Sequence, residues 1–82
     1  MTTYEGWANY QTWNVSLWIA NDYWLYLNAR AFSQKHGDEA TYEKFIKQIP
    51  EEYGTLTGDG VSWTDPTLDN YELNEFIQEL GE

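Results

Sequence analysis

Asn9–Asp22 reads NYQTWNVSLWIAND, and its interpretation decides the fold. Two tryptophans, a valine, a leucine and an isoleucine share this stretch with three asparagines and a single charge at Asp22. From Trp13 onward, Trp13, Leu17, Ala20, Trp24, Leu27 and Ala31 recur at spacings of four and three, while Trp18, Leu25 and Phe32 form a neighbouring row seven apart. That periodicity predicts a helix with these rows in the core. Asn14, Asn21, Asn28 and Lys35 fall every seventh residue on the opposite side and predict a narrow polar stripe. Asn9 is placed to cap the helix, with Thr12 at its third position and as the competing cap. Asn21-Asp22 can cap a second helix, so 10–36 is either one long helix or two with a kink. Gly37, just after Lys35 and His36, is placed to end it.

Working outward, Asp38 is a cap for a further helix over about 39–49. Tyr42, Phe45, Ile46 and Ile49 form its apolar face, Glu43 and Lys47 are paired at i,i+4, and Pro50 ends it. Residues 51–68 read as loop, punctuated by three glycines and a proline, with Gly58-Asp59-Gly60 a tight turn and no sheet expected. Asp69 and Glu72 make a capping-box arrangement for the last helix, and Leu68 with Leu73 forms its hydrophobic staple. Leu73, Phe76, Ile77 and Leu80 give its core face, and Gly81 ends it. The expectation is an all-α fold: one domain over 1–82, three to four helices in a small bundle, an aromatic core and a glycine-rich loop before the last helix. Residues 1–8 are expected to be irregular.

The chain is 82 residues long, too short for a second core. Five Trp, seven Tyr and three Phe supply much of its apolar volume. The net charge of −10 is unevenly placed: residues 1–36 are neutral, whereas 51–82 carry nine carboxylates and no Lys or Arg. Direct nucleic-acid binding is therefore disfavoured, because phosphate neutralisation needs clustered cations. A basic protein surface is the better electrostatic match; plain solubility is the alternative. Glu72, Glu75, Glu79 and Glu82, at spacings of three, four and three, are expected to form a one-sided acidic ridge. With Asp65, the ridge residues Glu72, Glu75 and Glu79 are candidate partner contacts. Tyr10, Tyr23 and Tyr26 point away from the expected core rows and make a candidate aromatic contact patch.

Catalytic chemistry finds little support. Cysteine is absent, and His36 is the only histidine. A catalytic triad would have to use that helix-terminal histidine, and a zinc site needs more His or Cys ligands. Asp59 and Asp65 flank a glycine turn, but the alternating oxygen ligands of an EF-hand are missing. Glu51-Glu52 reads as a solvated pair, and no phosphate-cradling loop is present. The expectation is a protein that is not an enzyme and uses no cofactor. The N-terminus lacks a basic and apolar signal pattern and no apolar run reaches the roughly 18 residues of a membrane span, so a cytoplasmic, membrane-free location is expected.

The segments NYQTWNVSLWIANDYWLYL and DGVSWTDPTLDNYELNEFI together resemble a family of short uncharacterised acidic proteins encoded by phages, including cyanophages, and by some bacteria. Its members carry an Asn-Tyr-x-Thr-Trp-Asn-Val-x-Leu-Trp-Ile-x-Asn-Asp segment and then an Asp-Gly-Val-Ser-Trp segment leading into an acidic helix. The resemblance implies no reaction or cofactor. It implies a phage context, the host-cell cytoplasm, and a role in binding and modulating a host protein; the cation-free 51–82 segment and its one-sided Glu row add a specific form of that role, an acidic helix that imitates phosphates. A self-associating assembly protein, dimerising through its aromatic helix face, is the second expectation.

Overall fold

The computed structural model describes residues 3–82. It is mostly helical, and among the described residues there are four α-helices and no strand: α1 (Tyr10–Asn21), α2 (Tyr23–His36), α3 (Tyr42–Ile46) and α4 (Asn70–Leu80). Helix α2 packs against both α1 and α4, while α3 and α1 each also touch α4. The buried side chains form one cluster. None of these helices is long and apolar enough to cross a membrane.

The stretch 10–36 is two helices. Asp22 adopts an extended conformation (φ −86°, ψ 123°) between them, and its carboxylate accepts the Leu25 N–H, capping α2. Asn9 caps α1 by accepting the Thr12 N–H at 2.8 Å, which settles the choice between the two candidate caps. Gly37 ends α2 with φ 55°, a backbone that L side chains rarely adopt.

The break at Asp22 changes which face is buried. The centre of α1 is Val15 and Ile19, and that of α2 is Leu25, Ala29 and Phe32. The expected row Trp13–Ala31 is instead peripheral: Trp13, Leu17 and Trp24 are half-buried, and Ala20, Leu27 and Ala31 are exposed. The asparagine stripe is corrected in the same way, because Asn14 is fully buried. Asn21 and Asn28 donate to the carbonyls one turn back, Leu17 and Trp24. One continuous phase cannot describe two helices that meet at an extended residue. Of the five tryptophans only Trp63 is buried, and the other four are half-buried around a centre rich in Val, Ile and Leu.

The helix expected over 39–49 is shorter and starts later. Gly37–Glu39 is a 3-10 turn, and Ala40 (φ −78°, ψ 86°) breaks the chain while being fully buried. Thr41, not Asp38, caps α3. The Tyr42 N–H donates to Asn74 Oδ1 on α4 at 2.8 Å, so a tertiary bond fixes where α3 begins. Tyr42 and Phe45 are buried and Ile46 and Ile49 half-buried, which keeps the expected face. The Tyr42 hydroxyl donates to the Trp63 carbonyl at 2.6 Å, and burial pushes its pKa far above the ordinary value.

Between α3 and α4 the chain forms a 3-10 turn at Glu51–Tyr53 and an isolated bridge between Leu56 and Ser62. The tight turn lies where the glycines place it: Thr57 donates to the Val61 carbonyl and Gly60 donates back to the Thr57 carbonyl. Residues 3–8 are irregular apart from a bridge between Tyr4 and Trp7; Met1 and Thr2 lie outside the described residues.

Candidate interaction surface

Helix α4 owes its position to its first turn. Asp69 accepts the Glu72 N–H at 3.0 Å, as the sequence leads one to expect. The capping box does not close, however. Glu72 Oε1 accepts the Ala8 N–H at 2.8 Å instead, and the Asp69 N–H donates to Thr12 Oγ1 at 2.9 Å. Asn9 Nδ2 adds a bond to the Thr67 carbonyl. Glu72 is thus a half-buried fastener for the N-terminal segment, which removes it from the accessible part of the ridge.

Glu75, Glu79 and Glu82 are exposed. Glu75 and Glu79, one turn apart, stand between two grooves and line both. The first groove, about 420 Å³, runs between α4 and the end of α2, where Ser33, Gln34, Gly37 and Asp38 face Gln78, Gly81 and Glu82. Asp38 therefore adds a carboxylate across from α4 that periodicity on one helix does not reveal. The second groove, about 250 Å³, is bounded by Gly6, Trp7, Glu72 and Phe76, with the Trp7 and Phe76 rings 5.7 Å apart edge to face. Among the described residues no carboxylate forms an ion pair with Lys or Arg.

Gly81 ends α4 without the left-handed backbone usual for a terminal glycine; its φ is −83°. What it supplies is room. A Cβ there would lie 2.5 Å from Ser33 Oγ, and the Ser33 hydroxyl donates to the Gln78 carbonyl at 3.1 Å. The close approach of α4 to α2 sets the width of the first groove.

The other candidate residues are dispersed. Asp65 stays on the loop, its carboxylate accepting from the Thr67 hydroxyl and backbone N–H, which hold its pKa below the usual value. Tyr10 is 38 % exposed and packs with Tyr4 and Trp13 at the start of α1. Tyr23 is 80 % exposed at the start of α2, with half-buried Tyr26 one turn on. Tyr10 and Tyr23 stand at the starts of successive helices, and α1, 12 residues or roughly 18 Å long at the helical rise, runs from the one start towards the other, so the three tyrosines do not form one patch.

A second constellation joins residues that the sequence pattern places on separate features: the polar stripe, the core row and the glycine turn. Buried Asn14 accepts the Thr57 hydroxyl at 2.7 Å and donates to Asp59 Oδ2 at 2.8 Å; Trp18 Nε1 donates to the same oxygen at 2.9 Å. These donors, Asn14 first, hold the Asp59 pKa below its ordinary value. Asn14 and Trp18 are an i,i+4 pair on one helix face, which is the available sequence signal that their donors converge. Gly58 lets the turn sit on the indole, because a Cβ there would lie 2.3 Å from Trp18 Cη2 and Cζ2.

No curated protein and no solved structure matches the chain significantly. A family model matches residues 1–82, and the chain accordingly belongs to the family described as "Family of unknown function (DUF7249)".

Proposed function

We propose that the chain is a small acidic accessory protein of the phage type that binds a basic surface on a host protein in the host cytoplasm and modulates it, without catalysing a reaction. The observation that carries this reading is the exposed set Glu75, Glu79 and Glu82, joined across the first groove by Asp38 and free of ion pairs among the described residues. Side chains one turn apart on a helix are about 5–6 Å apart at Cβ, so Glu75 and Glu79 present adjacent negative charges on a rigid element. Such a row attracts a cationic surface and, in its most specific form, occupies a site built for phosphates. The resemblance of Asn9–Leu27 and Asp59–Ile77 to phage-encoded proteins supports the setting.

Capture of partners from host lysate at low and high salt tests the proposal. Wild-type capture is expected to weaken as salt rises, since exposed charges are screened within about 8 Å at physiological ionic strength. A Glu75→Gln/Glu79→Gln/Glu82→Gln variant is expected to lose it. Salt-independent capture, unaffected by these substitutions, contradicts the proposal. A second reading, self-association, is favoured by Tyr23 at 80 % and Leu27 at 41 % exposure, one turn apart on α2. It predicts a dimer at micromolar concentration in sedimentation, lost in Tyr23→Ala/Leu27→Ala.

A further inference from the structure

The turn at 57–61 and the second half of α1 border an open cavity of about 380 Å³ lined by Leu17, Trp18, Asn21, Asp22 and Asp59. Ligand sites span roughly 300–1,000 Å³, so this one is sized for a side chain or a small molecule. Leu17 and Trp18 make its walls apolar, yet two aspartates line it and no Lys or Arg does. Neither carboxylate is free to turn away. Asp59 Oδ2 receives Asn14 Nδ2 and Trp18 Nε1; Asp22 Oδ1 receives the Leu25 N–H at 3.0 Å and the Tyr53 hydroxyl at 2.8 Å. Each carboxylate is therefore fixed through one oxygen, and among the described residues its other oxygen has no protein donor.

We propose that this cavity takes the side chain of an arginine presented by a partner protein. A guanidinium is planar and weakly hydrated, stacks on aromatic rings and offers five N–H donors in a fork. Here the Trp18 indole supplies the ring, Leu17 the surface for the aliphatic stem, and the open oxygens of Asp22 and Asp59 the acceptors. Because both carboxylates are already oriented, little side-chain freedom is lost on binding. An anion is repelled, and a purely apolar ligand leaves the two charges uncompensated. The inference rests on the proposal above for the kind of partner, a basic protein, but it uses none of the α4 ridge residues.

Titration of the ¹⁵N-labelled protein with N-acetyl-arginine amide, followed at the Trp18 indole N–H and the Asn14 side-chain amide, is the test. Saturable shifts at both resonances are expected. The citrulline analogue, alike in shape but uncharged, should bind at least tenfold more weakly, and the lysine analogue measurably more weakly. Asp22→Asn/Asp59→Asn retains an acceptor oxygen at each position and is expected to abolish the response, whereas Glu75→Gln/Glu79→Gln/Glu82→Gln leaves it intact. Equal responses to arginine and citrulline, equal binding of lysine, or loss of response in the ridge variant alone overturns the assignment. Should the double aspartate variant fail to fold, the wild-type comparison of arginine with citrulline decides by itself. Failure here with salt-sensitive capture retained removes the cavity and leaves the ridge.

Discussion

Asp59 and Glu79 are both exposed carboxylates, but they belong to regions built on opposite terms. Asp59 closes a network that begins at buried Asn14 and Thr57, and its oxygen gathers two donors from α1. Glu79 stands on the outer side of α4 between two grooves, and no bond within the protein engages its carboxylate among the described residues. A carboxylate that collects several donors is fixed in place and has one oxygen left to offer; one that collects none keeps both oxygens and its side-chain freedom for a partner. Acidity counted along the sequence merges these two uses, and hydrogen-bond partners separate them.

The sharpest way to break this contrast is Asn14→Ala. It strands the buried Thr57 hydroxyl without its acceptor and strips Asp59 of a donor, a loss of about 3 kcal/mol. For a domain this small that is a large share of total stability, and urea denaturation should show the midpoint falling accordingly. Gly58→Ala comes next. Its methyl collides with the Trp18 ring, and overpacking of this kind costs about 2 kcal/mol, with a change in tryptophan emission as the indole is displaced.

Acid titration sharpens the contrast further. The folded-state pKa of Asp59 is lowered by Asn14 and Trp18, so its stabilisation is present above the unfolded carboxylate pKa of about 3.9 and disappears as pH falls through the lower folded value. Asp59→Asn should therefore flatten the dependence of stability on pH in that window. The smallest effect is expected at the ridge. Glu75→Gln/Glu79→Gln/Glu82→Gln should move stability by no more than about 0.5 kcal/mol per site while removing salt-sensitive capture.

How much of this was legible in the sequence differs by element, for physical reasons. Helix α4 announces itself, because Asp69 provides a local cap and Leu73, Phe76, Ile77 and Leu80 keep one phase from start to end. The cap at Asn9 is local too, and so is the turn at Gly58–Gly60. The buried face of α1 was not legible. Its neighbours in space are Thr57, Asp59 and Asp69, more than 40 positions away; the first two make Asn14 an interior residue, and Asp69 bonds Thr12. The start of α3 was hidden for the same reason, since Asn74 on α4 fixes it. Within the candidate site, Glu75 and Glu79 follow from helical spacing alone. Asp38 joins them only because α2 and α4 meet, and Glu72 leaves the set because Ala8 needs an acceptor.

The bonds at the two helix starts carry a consequence for how the molecule opens. Thr12 Oγ1 donates to the Asn9 cap of α1 and accepts from the Asp69 cap of α4, while Ala8 and Asn9 reach Glu72 and Thr67. The first turns of two helices nearly sixty positions apart are thereby riveted at one seam. Neither end can fray alone without stranding the other's polar groups, so amide exchange at Thr12 and Glu72 should proceed through a single shared opening.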